Sequence, residues 1–359
     1  MGSKISSIIT GTGKYIPNKL IKNSDFINHA FYEKDGTIAK RNMFDVIQKF
    51  QAITDIEERR YAEDDQNASE LAYLAAKDAL ESANEDKEKL DYIIVAHNFG
   101  DVNHGDNRTD MVPTLASRVK YKLGIENPDC VAYDLPFGCP GWLQGMIQAD
   151  YFIKSGDAKK VMVIGSETLS RVIDPHDKDS MIYSDGAGAT ILSASKDNGA
   201  GILSHKSQTH TLNQAWFLKM EGSSKPDYES KEDLYLKMDG RKVYEYGLTH
   251  VPLVMKTTVE KAGILPEKIK KVFVHQANGK MDDAILKRFF KLYDYDCPPE
   301  NIMPMSISKL GNSSVATIPT LLDMVLKEEM ENQTVKIGDV VIFASVGAGM
   351  NINAMIYRF

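Results

Sequence analysis

The chain reads as an α/β protein built twice over, with two pseudo-symmetric halves that each carry a mostly parallel, helix-covered sheet. Three observations predict this. Apolar strand-like runs alternate with amphipathic helical segments along the whole length. The order helix, charged turn, apolar strand occurs at 67–98 and again at about 244–278. Helices starting at Pro140 and at Ser314 then lead into the strands 161–165 and 338–344, so a βαβαβ order stands on either side of a division near residue 195. The halves are read as 1–195 and 196–359.

With 359 residues, the chain is long enough for one large or two medium domains with ample core. Its 43% apolar and 26% charged residues are ordinary for a soluble globular protein. A formal net charge of −7 argues against a nucleic-acid binder, although it leaves room for local basic patches. The three cysteines, Cys130, Cys139 and Cys297, fit neither a disulfide framework nor a zinc site, so a reducing cytoplasm is expected. The first residues lack a signal-peptide pattern, and no apolar run approaches the roughly 20 residues of a membrane span, so no membrane insertion is expected. Met1-Gly2 followed by Ser6 fits a myristoylation pattern only superficially.

In order, residues 5–12 have strand character, closed by Gly11, Gly13 and Pro17. A helical piece is expected at 43–51. The segment 67–83 is an amphipathic helix, with Leu71, Ala72, Ala75, Ala76 and Leu80 on one face and Asn67 or Ser69 as cap. Residues 92–96 form a continuous apolar run, as in a strand covered on both faces. The polar stretch 99–114 is long enough to be a lid or an interface. Helix returns at 116–123 and a short strand at 130–134. Between β-rich arms, Asp185-Gly186-Ala187-Gly188 reads as a hairpin turn. Residues 219–237 are the most loop-like stretch, and a helix is expected from Ser314 to about Glu331.

The stretch DLPFGCPGWLQG at 134–145 organises the chemistry. Pro140 suits a first helical position, which puts Cys139 at the N-cap of an apolar helix running to about Ser155. There the helix dipole would favour thiolate over thiol and make a nucleophile. A small buried hydrophobe is the plain alternative. His275 follows an apolar strand, at the strand end where open α/β sheets place ligand sites, and Asn278 lies just beyond. Asn312, with Ser313, occupies in the second half the place that Cys139 has in the first. The Gly-rich 346–350, with Gly347 and Gly349, leaves backbone N–H groups free for an oxyanion. Taken singly, His275 and Asn312 could be helix caps and the glycines could serve turns. Their combination in a duplicated chain is what points to a site.

The chain resembles the thiolase superfamily, in particular β-ketoacyl-acyl-carrier-protein synthase III and its relatives. The matching stretches are GTGKYIPN at 11–18, FGCPGW at 137–142, VIGSETLSR at 163–171, SDGAGATIL at 184–192, VHQAN at 274–278, GNSSVAT at 311–317 and VGAGMN at 346–351. The resemblance implies a thiolase-like duplicated fold in αβαβα layers. It implies an acyltransferase that makes a carbon–carbon bond by Claisen condensation. Cys139 would accept the acyl group, and His275 and Asn312 would stabilise the enolate of a malonyl-type extender. The N–H groups of Cys139 and Gly349 would form the oxyanion hole. No metal or redox cofactor is implied; the implied partners are acyl carrier protein, acyl thioesters and a second copy of the chain as a homodimer.

Departures from the family pattern refine this. Where relatives grip coenzyme A with a tryptophan and two arginines, this chain has Lys49, Ile53 and Lys178, which favours a carrier-protein-bound acyl donor. Val112, next to Met111, replaces a phenylalanine that closes the partner subunit's acyl pocket, which suggests a chain longer than acetyl. Lys280, with Lys287 and Arg288, stands where the family has a basic patch for the carrier protein, and equally reads as a solvated helix face. No glutamate equivalent to the acid–base of hydroxymethylglutaryl-CoA enzymes is apparent. The Cys-Pro-Gly-Trp motif resembles the dialkylresorcinol and flexirubin-type branch, which joins two β-ketoacyl units and closes a ring. A silent partner subunit and an acyltransferase without condensation are the competing classes.

Overall fold

The computed structural model describes residues 5–33, 35–39, 42–196, 199–228 and 232–359. The myristoylation reading at Met1-Gly2 lies outside these residues. The elements are β1 (Ser6–Tyr15), β2 (Lys19–Lys22), α1 (Met43–Thr54), β3 (Glu58–Tyr61), α2 (Ala68–Ala83), β4 (Tyr92–His97), α3 (Leu115–Leu123), β5 (Val131–Pro136), α4 (Gly141–Ser155), β6 (Lys160–Thr168), β7 (Asp185–Ser195), β8 (Gly201–Thr209), β9 (Leu218–Glu221), β10 (Tyr235–Met238), α5 (Gly240–Ala262), β11 (Ile269–Val274), α6 (Gly279–Lys291), α7 (Ile307–Leu310), α8 (Thr317–Leu326), β12 (Val340–Gly347) and β13 (Asn351–Arg358).

Two large sheets repeat one plan. The first has the order β1-β7-β6-β4-β5 and the second, read from its other side, β8-β13-β12-β11. In each, the opening strand lies antiparallel to the closing one (β1 with β7, β8 with β13). The closing strand lies antiparallel to its neighbour (β7 with β6, β13 with β12), which is parallel to the next (β6 with β4, β12 with β11). The expected duplication is therefore visible strand by strand, with a parallel centre at β5-β4-β6 and antiparallel additions beside it. Among the described residues the second sheet has no counterpart of β5, and the Ile302 carbonyl accepts the Val272 N–H at 2.8 Å.

Five layers result. Helices α2 and α3 cover the first sheet through Leu71, Ala75, Ala79, Val119, Ile93 and Ile164. Helices α5 and α6 cover the second through Val251, Met255, Phe289 and Ile342. Between the sheets lie α4 and α8, whose Trp142, Met146, Leu321 and Leu322 share one core with Val163, Phe273 and Phe343. That middle core draws on both halves, so each half completes the other's hydrophobic burial. None of the described helices is long and apolar enough to cross a membrane.

Several local expectations change for one reason. Gly11 and Gly13 do not close the first strand, and Asp185–Gly188 is not a hairpin: both lie within long strands, β1 and β7. They mark where helix backbone presses onto the sheet. A β-carbon on Gly13 would lie 2.2 Å from the Ala79 nitrogen, and one on Gly188 would lie 2.6 Å from the Thr320 nitrogen. The helix expected from Ser314 to about Glu331 begins as a 3₁₀ turn, Ser314–Ala316, and ends at Leu326, with Glu328 in the left-handed region beyond it. The loop-like 219–237 stretch contains most of the paired strands β9 and β10.

Candidate active site

The site lies where strand ends of both sheets meet the turns that open the two middle helices. Residues 138–141 close a β-turn, the Gly141 N–H donating to the Gly138 carbonyl at 2.9 Å, with Cys139 and Pro140 as its central pair. The N-cap of α4 is Pro140 (φ −72°, ψ 0°). Cys139 thus stands one residue before the cap, although Pro140's helical dihedrals extend the helix backbone up to it. The electrostatics also depart from expectation. Burial pushes the thiol up to about 11; a hydrogen bond from Ser314 pulls it down, and the Glu167 carboxyl pushes it up further. Burial thus favours the thiol over the thiolate in the unloaded site.

Cys139, His275 and Asn312 line one cavity of about 210 Å³, together with Ser314, Tyr183 and Gly347. His275 continues the line of β11, its N–H donating to the Ala344 carbonyl at 2.9 Å. Burial takes its imidazole down to about 4, so at neutral pH it is uncharged and carries a single ring N–H. The Asn312 Oδ1 accepts the Ser314 N–H at 2.8 Å, which leaves the amide NH₂ as the donor end of that side chain. Asn312 is not itself a helix N-cap: Ser313 precedes the 3₁₀ turn and Ala316 precedes α8, and the bond to Ser314 closes a local side-chain turn. Asn278 caps α6, accepting the Met281 N–H at 3.1 Å. Gln276 accepts the N–H groups of Ser306 and Ile307 at 2.9 and 3.0 Å and so ties the His275 segment to the loop before α7.

Gly347 and Ala348 line the cavity. Gly349 follows with φ 72°, in a turn pinned by Asn351, which donates to the Ala348 carbonyl at 2.8 Å, and by the Tyr246 hydroxyl on the Met350 carbonyl at 3.0 Å. Met111 and Val112 are not brought to the sulfur. They are exposed, Val112 by 87%, in the segment leading into α3. Lys280 is exposed on the first turn of α6, whereas Lys287 pairs with Asp283 at 2.6 Å and Arg288 donates to the Leu248 carbonyl at 3.1 Å. The expected basic trio is therefore divided among separate contacts.

A second, larger cavity of about 600 Å³ adjoins the first and shares Met238, Val243, Ala277 and Met281 with it. Lys49, Ile53 and Lys178, the three positions where the chain departs from the coenzyme A pattern, all line this outer groove. Lys178 lies 3.4 Å from the Glu33 carboxylate.

Three residues went unrecognised in the sequence. Asn98 and Glu167 sit at the ends of the apolar strands β4 and β6, and Ser314 follows Asn312. The strand-end rule that singled out His275 would have found the first two. The Asn98 amide donates to Glu167 and, at 2.9 Å, to the Ser314 hydroxyl, which in turn donates to the Cys139 sulfur at 3.2 Å. Burial raises the Glu167 carboxyl to about 7. It is not among the residues lining the cavity and stands behind Asn98.

Comparison with known proteins agrees with this geometry. Residues 133–211 match the family described as 3-oxoacyl-[acyl-carrier-protein (ACP)] synthase III, and residues 259–359 match its C-terminal part. The chain is 30% identical over 354 residues to a β-ketoacyl-[acyl-carrier-protein] synthase III of Vibrio vulnificus, covering 98% of this chain and 99% of that one. It is 32% identical to the Caldanaerobacter subterraneus enzyme of that name, over 98% of this chain and 97% of the other. The crystal structure of the Aquifex aeolicus 3-oxoacyl-[acyl-carrier-protein] synthase III superposes with a TM-score of 0.79 at 29% identity, covering 98% of this chain and all of that one. Xanthomonas campestris OleA shares the fold, with a TM-score of 0.78 at 17% identity. With its cysteine, histidine and asparagine gathered around one cavity in a duplicated five-layer fold, the chain belongs to the 3-oxoacyl-acyl-carrier-protein synthase III family of condensing enzymes.

Proposed function

We propose that the chain joins an acyl group held on Cys139 to a malonyl-type thioester on acyl carrier protein, releasing CO₂ and a β-ketoacyl thioester. The observation that carries this reading is the convergence of Cys139, His275 and Asn312 from the two halves on one cavity. In the first half-reaction the sulfur displaces a thiol from an acyl thioester and becomes acylated. In the second, the malonyl thioester loses CO₂ to give an enolate, whose oxygen is stabilised by N–H donors of neutral His275 and Asn312. The enolate carbon attacks the acyl-sulfur carbonyl, and the Cys139 thiolate leaves and takes up a proton. Carbonyl charge on the acyl group would be met by backbone N–H groups at Cys139 and Gly349, a reading supported by the close packing of 138–139 against 347–348.

The outer groove supports a carrier-protein-bound primer. Its lining is predominantly apolar, and Lys178 at its wall is engaged by Glu33. We read Lys280 as a contact for the carrier and Val112 with Met111 as residues offered to a second copy. The edge of β5 supports a homodimer: among the described residues this strand pairs only with β4, and Val131 on it is 46% exposed. An unpaired strand edge of this kind invites another strand. The halves 1–195 and 196–359 would each contribute to both half-reactions.

Intact-protein mass spectrometry with labelled acyl-carrier protein, followed by malonyl-carrier protein, tests the reading. Acyl mass on Cys139 and then released CO₂ are expected. Acyl mass without CO₂ would reduce the protein to an acyltransferase, and the absence of both would leave a silent subunit. Sedimentation of wild type and Val131→Lys tests the pairing along β5.

A further inference from the structure

From the cavity wall inward runs a line of polar groups, Ser314, Asn98 and then the buried Glu167, that the condensing chemistry above does not use. Glu167, 1% exposed, accepts the backbone N–H of Asn98 at 3.0 Å and also its side-chain amide. That amide donates its other hydrogen to Ser314 Oγ at 2.9 Å. An amide whose NH₂ is engaged by a carboxylate cannot rotate to present its oxygen to Ser314 without losing that bond. Ser314 therefore receives a hydrogen from Asn98 and must send its own elsewhere, and the acceptor within reach is the Cys139 sulfur at 3.2 Å. Ser314 is held in this pose at some cost. It is a non-glycine residue with φ 53°, a region that costs of order 1 kcal/mol, and its N–H is tied to Asn312 Oδ1 at 2.8 Å. The same serine thus links the enolate-stabilising asparagine to the nucleophile.

We propose that Ser314 is a catalytic residue whose hydroxyl stabilises the Cys139 thiolate, and that Asn98 and Glu167 are positioning residues that aim this hydroxyl at the sulfur. The inference rests on the condensing function assigned to the site. The thiolate occurs twice in that cycle, when the sulfur attacks the incoming thioester and when it departs after carbon–carbon bond formation. In both, the Ser314 proton remains on its oxygen and shortens its bond to the sulfur as negative charge grows. A hydroxyl already aligned needs no reorganisation, whereas burial alone would leave the thiolate unsupported. The other titratable groups around this line are Tyr183 and His275, which line the cavity, and His97 and Asp185, which act on Glu167. His97 is itself 3.1 Å from Asp134 and accepts the Gly100 N–H at 3.0 Å.

The test is alkylation of Cys139 by iodoacetamide in the full chain between pH 6 and 10, resolved from Cys130 and Cys297 by peptide mass mapping. Ser314→Ala should slow alkylation about tenfold at each pH across this range, all of it below the thiol's titration, as expected for losing a hydrogen bond to a charged acceptor. Ser314→Thr, which keeps the hydroxyl, should restore most of the rate. Glu167→Gln should speed alkylation above about pH 7, where the wild-type carboxyl is charged, because its carbonyl still anchors Asn98 while the opposing charge is gone. Circular dichroism melting confirms that each variant is folded. Superimposable curves for wild type and Ser314→Ala would overturn the proposal. Alkylation needs no acyl substrate, so this result and the acyl-loading result fail separately: unchanged curves with normal acyl loading sink only the serine's role, and shifted curves without acyl loading sink only the condensing function.

Discussion

Gly347 and Cys139 stand so close that a β-carbon on the glycine would lie 2.7 Å from the cysteine nitrogen and 2.8 Å from its β-carbon. The end of β12 and the turn before α4 therefore meet backbone to backbone across the two halves. The approach of the Cys139 turn to the β12 end is set by the absence of one side chain.

Gly347→Ala should accordingly push the 138–140 turn away from the β12 end. We expect acyl loading of Cys139 to fall by 100-fold or more and unfolding free energy by about 1–3 kcal/mol, the usual range for forcing an atom into a packed site. Intact mass after acyl-carrier-protein treatment and urea unfolding measure the two effects. Wild-type loading in the variant would show that the contact is slack.

His275→Ala should separate the half-reactions. The acyl-enzyme should still form, while CO₂ release from the malonyl thioester drops by roughly 10²–10³, as for loss of a donor aimed at developing oxyanion charge. Because burial holds the wild-type imidazole down to about 4, decarboxylation should show no acid limb near pH 6.5. A rate that halves between pH 7 and 6 in wild type but not in His275→Ala would contradict a neutral donor.

Stability should fall as pH rises through the range set by the buried acids. Burial raises Glu167 from 4.5 to about 7, so between these values the folded chain holds a proton that the unfolded chain has released. A raised carboxyl contributes fully below its unfolded value, and that contribution is lost on the way up. From this carboxyl alone, unfolding free energy should drop by up to roughly 3 kcal/mol between pH 4.5 and 7. Asp282, wholly buried, is raised by burial against the opposing pull of the Asn278 and Ala277 backbone and acts in the same direction. Asp282→Asn should be more stable than wild type at pH 8, with the gap closing toward pH 4. Parallel stability curves for the two proteins would refute this.

Arg59 should matter to the groove as much as to stability. It is wholly buried, donating to the carbonyls of Met181 at 3.0 Å and Ile21 at 3.2 Å and to Asn23 at 2.6 Å, with its guanidinium 5.1 Å from the Phe26 ring centroid. Burial lowers it to about 10, so the charge persists at neutral pH and must be met by these acceptors. Arg59→Lys offers no planar fork and should lose about 2–4 kcal/mol of unfolding free energy. It should also weaken acyl-carrier-protein use, because Met181 lines the outer groove. A melting temperature within a degree of wild type would argue that the guanidinium is dispensable.

The sequence by itself determined the duplication, the helix faces and the strand ends that carry Cys139 and His275. Apolar periodicity is a local property, and repetition of element order survives without any knowledge of contacts. The Gly-Asn-Ser-Ser stretch at 311–314 marks a junction into helix, but Asn312 follows the short helix α7 and not a strand, which only the structure shows. What only the tertiary structure decided is everything that depends on approach between distant segments. Gly13 and Gly188 look like breakers along the chain and turn out to be landing points for α2 and α8. The thiol of Cys139 looked activated at a helix start, yet the surrounding protein raises it, because desolvation is a property of the packed environment and not of the four flanking residues. The line from Glu167 through Asn98 and Ser314 to the sulfur joins residues 98, 139, 167 and 314, whose proximity no spacing rule encodes.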